Sequence, residues 1–266
     1  MFILLQRVLP KHLLSRLVGW VANCEIGIIK DLFIRSIVAK YKVDLSEAEE
    51  SDPAYYKSFN HFFARKLVDG ARPISGSLCS PADGIISALG DIKDNQLVQA
   101  KGINYSLEKL LANNAVESFS KGSFITIYLA PKDYHRVHCP KNAKLISARY
   151  VPGNLFSVNQ TTTEGVENLF ADNERLVMEF ESDAGKIAVI MVGALIVAAI
   201  QSAWNDETYQ ARNLNLESFD PPLQFKMGDE LGQFQMGSTA IVLLEEKVEW
   251  KLSCNDPVKM GQALVT

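Results

Sequence analysis

Cysteine is scarce in this 266-residue chain, and Cys24, Cys79, Cys139 and Cys254 stand far apart with no C-x-x-C pair. That usage argues against a disulfide framework or a zinc knuckle, so no metal is expected and a reducing compartment is the default. Long apolar runs are also missing. The longest, Ile187–Ile200, has 14 residues, short of the roughly 20 a membrane-spanning helix needs. It is rich in Val and Ile and broken by Gly193, which predicts two buried strands around a bend. Basic residues are not in excess: the net charge is −4 and the pI about 5.7, which excludes a typical nucleic-acid binder. A secretory signal is not expected, because Arg7, Lys11 and Arg16 interrupt every apolar stretch at the N-terminus.

The average charge hides an asymmetry. Residues 1–42 hold seven Lys and Arg against Glu25 and Asp31, a net of +5, so the remainder carries −9. Leu13, Leu14, Leu17, Val18 and Val21 fall on one helical face, and Ile29, Leu32, Phe33 and Ile37 repeat the spacing with Lys30, Arg35 and Lys40 between them. Basic amphipathic helices of this kind lie in a lipid interface, with Trp20 suited to the headgroup level, or pack on their own core. The charge asymmetry favours an anionic membrane surface.

Ser46-Glu-Ala-Glu49 reads as a capping box for a short helix ending before Pro53. Beyond residue 75 the pattern turns to strands, notably 124–129 and the alternating 247–252. The Pro221-Pro222 pair punctuates the chain, and 203–223 reads as a loop. The fold class expected is α+β: amphipathic membrane-associated helices over 1–45, then a mainly β, sandwich-like catalytic domain with a few helices over 46–266.

Three segments carry chemistry. Ser238 follows Gly237 and opens an apolar run, which alone fits a tight turn into a buried strand. His135 and His138 stand three apart, a spacing that chelates metal on a helix. Here β-rich sequence and Pro131 precede them and Pro140 follows, so an extended segment would send them to opposite sides with separate jobs. Asp83, before Gly84, is a turn signal, and a carboxylate there could also orient a histidine.

The motifs MGST, YHRVH and PADG, in that spacing, resemble the bacterial phosphatidylserine decarboxylase proenzyme family. The likeness extends through KGINYSLEKLL (101–111), YVPGNLFSVN (150–159), NLFADNER (168–175) and MGQAL (260–264), from about Leu9 to the C-terminus. Met236 departs from the Leu usual in the family, a volume-conserving exchange.

The resemblance implies self-cleavage between Gly237 and Ser238 into a large chain (1–237) and a small one (238–266), leaving residue 238 as a covalent pyruvoyl cofactor. His138 would be the base for Ser238, oriented by Asp83 with Asp133 as a second candidate, and Thr239 would assist. The pyruvoyl would then form a Schiff base with phosphatidylserine, and His135 would reprotonate the α-carbon to give phosphatidylethanolamine. Phe156, Ser157 and Asn159 would line the headgroup pocket. The protein would sit peripherally on the cytoplasmic face of the cell membrane; a homodimer stays open.

Two rivals remain at this point. A membrane-docked serine hydrolase could use Ser238, His138 and Asp83, although no G-x-S-x-G elbow is present. A non-enzymatic carrier or scaffold module is suggested by SPADGIIS and DPVKMGQALV, but no lysine stands at a comparable exposed hairpin.

Overall fold

The structure, a computed structural model, describes residues 6, 18–100, 102–113, 116–195, 200–205, 208–209 and 215–235, the backbone of Ser238, and 239–266. The readings made on Leu13, Leu14, Leu17 and Gly237 lie outside these residues.

The strands in chain order begin with β1 (Gly84–Asp91), β2 (Gln96–Ala100), β3 (Ile103–Ser106), β4 (Ser123–Leu129), β5 (Arg136–His138), β6 (Ala143–Val151) and β7 (Arg175–Ser182). They continue with β8 (Gly185–Val192), β9 (Ile200–Ser202), β10 (Thr208–Tyr209), β11 (Asn215–Phe225), β12 (Glu230–Phe234), β13 (Ser238–Leu244) and β14 (Pro257–Val258). An eight-stranded antiparallel sheet runs β11-β6-β7-β8-β13-β4-β1-β14, and a four-stranded sheet runs β10-β9-β12-β5. Besides helical residues at 18–22, the helices among the described residues are few: α1 (Gly27–Tyr41), α2 (Phe59–Phe63), α3 (Leu107–Leu111), α4 (Val116–Phe119), α5 (Gln160–Thr163) and α6 (Leu169–Asp172). The α+β, mainly β, sandwich-like expectation therefore holds for the body of the chain.

Strand β13 shows why the sheet forms. It lies between β8 and β4, covered on both faces, so its sequence is apolar at nearly every position rather than alternating. Ala240, Val242 and Leu244 join the core shared with the four-stranded sheet, through Val137, Leu231 and Phe234. Ile241 and Leu243 join a second core closed by Leu107, Leu110, Leu169 and Phe170. Burying each such aliphatic side chain is worth about 1.5–3 kcal/mol. Ser238 is thus the first residue of a strand buried on both faces over 239–244.

The N-terminal unit has its own cluster: Ala22, Ile34, Tyr56, Phe59, Phe62 and Phe63, with Phe33 and Ile37 packed against it. Helix α1 divides the apolar face read from sequence. Phe33 and Ile37 turn inward, while Ile28, Ile29 and Leu32 stay exposed, as does Trp20. Lys30, one of the basic residues between those apolar positions, is buried and donates to the Ala54 carbonyl. Among the described residues no helix is long and apolar enough to cross a membrane.

Three local readings are corrected. Residues 46–49 form a turn, with Ala48 bridging to Leu67, because the chain pairs there instead of coiling. Residues 247–252 form no strand. Only Trp250 bridges, to Val265, while Val248, Trp250 and Leu252 satisfy the alternation by packing on the core. Pro221 and Pro222 lie inside β11, an edge strand, at a register shift between Ser218 and Leu223, the setting in which a strand tolerates proline.

Candidate active site

Ser238 pairs with Leu129 of β4, and the next residue of that chain, Ala130, organises what surrounds it. Its carbonyl accepts from the Asp133 N–H at 2.8 Å and from His135 Nε2 at 3.0 Å. Its N–H donates to Asp133 Oδ2 at 2.7 Å. Asp133 therefore locks the turn after β4, and burial raises the pKa of its carboxyl. It reaches His135 through Ala130 and makes no hydrogen bond with His138.

A carbonyl only accepts, so His135 Nε2 carries the hydrogen and Nδ1 presents a bare lone pair. That Nδ1 is buried with no hydrogen-bond partner among the described residues. The ring is fully buried and stacked on Phe63. Burial, then the nearby Arg65 charge, hold the imidazole well below its ordinary pKa, which keeps it neutral near pH 7. The His135 carbonyl accepts from the Phe234 N–H, so the end of β12 lies beside His135. Asn60 Nδ2 of α2 donates to Gln235 Oε1 at 3.4 Å, tying the N-terminal unit to that segment.

His138 occupies a separate niche, as the extended spacing predicts. Its Nδ1 donates to the Gly228 carbonyl at 2.8 Å, leaving Nε2 as acceptor for the Tyr134 hydroxyl at 2.9 Å. Gly228 has φ +93°, a conformation that favours glycine. Burial lowers the His138 pKa, opposed by the Gly228 bond and by the charges of Glu230 and Asp83.

Asp83 does not touch His138. Arg72 grips it at 2.9 and 2.6 Å, and the Met260 N–H donates to its Oδ1 at 2.8 Å. It acts on His138 only through space, and the tautomer expected of a base comes from Gly228 instead.

The headgroup candidates divide. Asn159 accepts from the Thr162 N–H, so it caps α5. The Ser157 N–H donates to Gln6 Oε1. Phe156 is buried, and Asn173 Nδ2 donates to both its carbonyl and that of Gly193, binding this loop to the end of β8 beside Ser238.

Sequence reasoning missed Arg65, Phe63 and Tyr134. Arg65 is 3% exposed and donates through Nη2 to the Lys132 and Asp133 carbonyls. The aromatic run FNHFFAR at 59–65 was the available signal.

A family model described as phosphatidylserine decarboxylase matches residues 59–266, and a second, described as PSD, matches residues 1–42. The chain belongs to the phosphatidylserine decarboxylase family. The phosphatidylserine decarboxylase proenzyme of Pseudomonas fluorescens is 46% identical, over 99% of this chain and 96% of its own length. That of Ectopseudomonas mendocina is 47% identical over 99% and 97%, and that of Acinetobacter baylyi 46% over 99% and 94%. Membership places the chain among carboxy-lyases made as proenzymes. Near Ser238, His135 Nδ1 is buried without a partner among the described residues, an atom a bound group could satisfy; Thr239 Oγ1, also without one, lies on the other face of β13.

Proposed function

We propose that this chain cleaves itself between Gly237 and Ser238 and then decarboxylates phosphatidylserine to phosphatidylethanolamine at a membrane surface. The observation that carries the reading is the position of Ser238, opening the central strand one residue across from the carbonyl that presets His135.

In processing, Ser238 attacks the Gly237 carbonyl and the amide becomes an ester. Loss of the Ser238 α-proton then expels the Gly237 carboxylate. The unsaturated residue left behind takes up water and releases ammonia, leaving a pyruvoyl group. His138 serves as base: Gly228 holds its Nδ1–H, so Nε2 is the acceptor once the Tyr134 hydroxyl moves aside. The Asp83 charge favours the imidazolium that results.

In turnover, the pyruvoyl supplies an electron sink for the pair left as carbon dioxide departs. His135 Nδ1 takes a proton from the substrate ammonium and returns it to the α-carbon. A depressed pKa suits the second half of that transfer, because the imidazolium gives its proton up readily.

The substrate also explains the exposed residues Trp20, Ile28 and Leu32. Each CH₂ drawn out of lipid costs about 0.8 kcal/mol, so docking at the cytoplasmic face of the cell membrane, with the acyl chains left in place, avoids a prohibitive extraction. The net +5 of residues 1–42 attracts the anionic substrate.

Intact-mass spectrometry of the parent, Ser238→Ala, His135→Ala and His138→Ala tests this. The parent should give two chains, the small one lighter by one ammonia than a serine-started peptide. Ser238→Ala and His138→Ala should stay whole, while His135→Ala should cleave but not decarboxylate. An uncleaved parent in detergent would sink the reading, and cleavage lost only in His135→Ala would reverse the two histidine roles.

A further inference from the structure

The reaction proposed above consumes one proton overall, and the structure places a second candidate donor beside the site. Glu174 is 6% exposed. Its Oε2 accepts from the Tyr150 hydroxyl at 3.1 Å, while Oε1 is buried with no hydrogen-bond partner among the described residues. Buried polar atoms without partners are uncommon, and one on a carboxyl is an expensive arrangement to retain for structure alone.

Its direction is set by Gly193. The Gly193 N–H donates to the Glu174 carbonyl, and a Cβ placed on Gly193 would lie 3.0 Å from Glu174 Oε1. The carboxyl therefore occupies space that any other residue at 193 would fill. Thr239 pairs with Val192, and Val192 with Arg175. One residue outward, just beyond the ends of β7 and β8, the same register continued brings Glu174 and Gly193 into line with Ser238, the first residue of β13. Adjacent strands lie about 4.8 Å apart, so from above Gly193 the carboxyl is one strand spacing from residue 238. Leu176, Met191 and Leu129, which share the parity of these three positions, all face the core closed by the sheet that includes β5.

Resting on the decarboxylase reading, we infer that Glu174 is a second proton-transfer residue of this centre: held across Gly193 with one oxygen unpartnered among the described residues, it gives its carboxyl proton to the product amine, replacing the one His135 moves to the α-carbon, and takes another from solvent. Burial pushes its pKa up to about 7, with the Tyr150 hydrogen bond pulling the other way. The titratable groups around it are Tyr150, then Tyr209 stacked behind and bonded to Glu217. Arg175, next in the chain, spends its guanidinium on the Leu110, Ala171 and Asn173 carbonyls. The proton of Glu174 is thus free of a cationic partner.

The test compares the parent, Glu174→Gln and Tyr150→Phe on detergent-dispersed phosphatidylserine, with chain masses taken alongside. Glu174→Gln should still give two chains, turn over at least tenfold more slowly, and lose the fall in rate as pH rises through about 7. Tyr150→Phe, which removes the bond that lowers the Glu174 pKa, should move that fall to higher pH. Independently of activity, infrared titration of the uncleaved Ser238→Ala chain should show a carboxyl C=O band fading near neutral pH, absent from Ser238→Ala/Glu174→Gln. An unchanged pH profile in both variants, or no such band, would overturn the assignment. A parent that neither cleaves nor decarboxylates would instead overturn the reading on which it rests.

Discussion

The imidazole of His135 lies against the ring of Phe63, with centroids 3.8 Å apart and planes 21° from parallel. Phe63 belongs to the N-terminal cluster and His135 to the turn before β5, so one stacked pair joins the two units at the site. Phe63→Ala should cost about 3–5 kcal/mol. In the milder Phe63→Leu, loss of the stack admits water and lets the His135 pKa climb towards its ordinary value. NMR titration of His135 reads this directly, and an unmoved titration would contradict it.

Arg72 and Asp83 form a buried pair, with side chains 6% and 10% exposed. Arg72 also holds Glu47 at 2.9 Å, so removing Asp83 leaves its charge only partly compensated, at a cost towards the lower end of the about 3–5 kcal/mol of a fully orphaned buried charge. Asp83→Asn should lower stability by that order in urea unfolding of the uncleaved Ser238→Ala chain. In the Ser238 parent it should slow cleavage at least tenfold, since His138 loses a helpful charge. Full-rate cleavage in Asp83→Asn would confine the residue to the Arg72 clamp.

Stability should respond to pH in opposite senses at two places. His135 and His138 have depressed folded pKa values, so their contribution is present above about 6.5 and is lost as pH falls below it. Glu174 rises from 4.5 to about 7; its penalty is absent below about 4.5, grows as pH rises and is complete above about 7, on the order of 3 kcal/mol. Glu174→Gln in the Ser238→Ala background should therefore be the more stable chain at pH 8 and nearly level with its parent at pH 4.5. Urea unfolding at the two values checks the sign.

Ile28 and Leu32 are 85% and 70% exposed, so replacing both with Asp removes little packing. Sedimentation with phosphatidylserine vesicles should show at least tenfold weaker binding, while activity on detergent-dispersed lipid is kept. Unaltered vesicle binding would remove these residues from the docking surface.

Much of the body was legible because its signals are local. The Val and Ile runs of β8 and β13 and the aromatic β-branched run of β4 declare buried strands, and the break at Gly193 falls where β8 ends. Residues 247–252 misled because alternation records burial of every second side chain, and a strand is only one way to achieve it. The turn at 46–49 failed similarly, since a capping box stabilises a helix only where no competing pairing is on offer. The burial of Lys30 is not legible either, because sequence spacing does not reveal that the Ala54 carbonyl stands opposite to accept from it.

By itself, the sequence determined the family, the serine at the head of an apolar strand, the two histidines with separate surroundings and the charge asymmetry, all properties of short segments or their order. Tertiary structure alone decided which nitrogen of each histidine carries hydrogen, that Asp83 answers to Arg72, and that Glu174 reaches over Gly193 towards the strand of Ser238. Each of these depends on a partner supplied by a distant segment: the carbonyls of Ala130 and Gly228, the guanidinium of Arg72, the missing side chain at 193. Hydrogen-bond direction and burial are set by what the fold brings opposite a group, and that information is in no single stretch of chain.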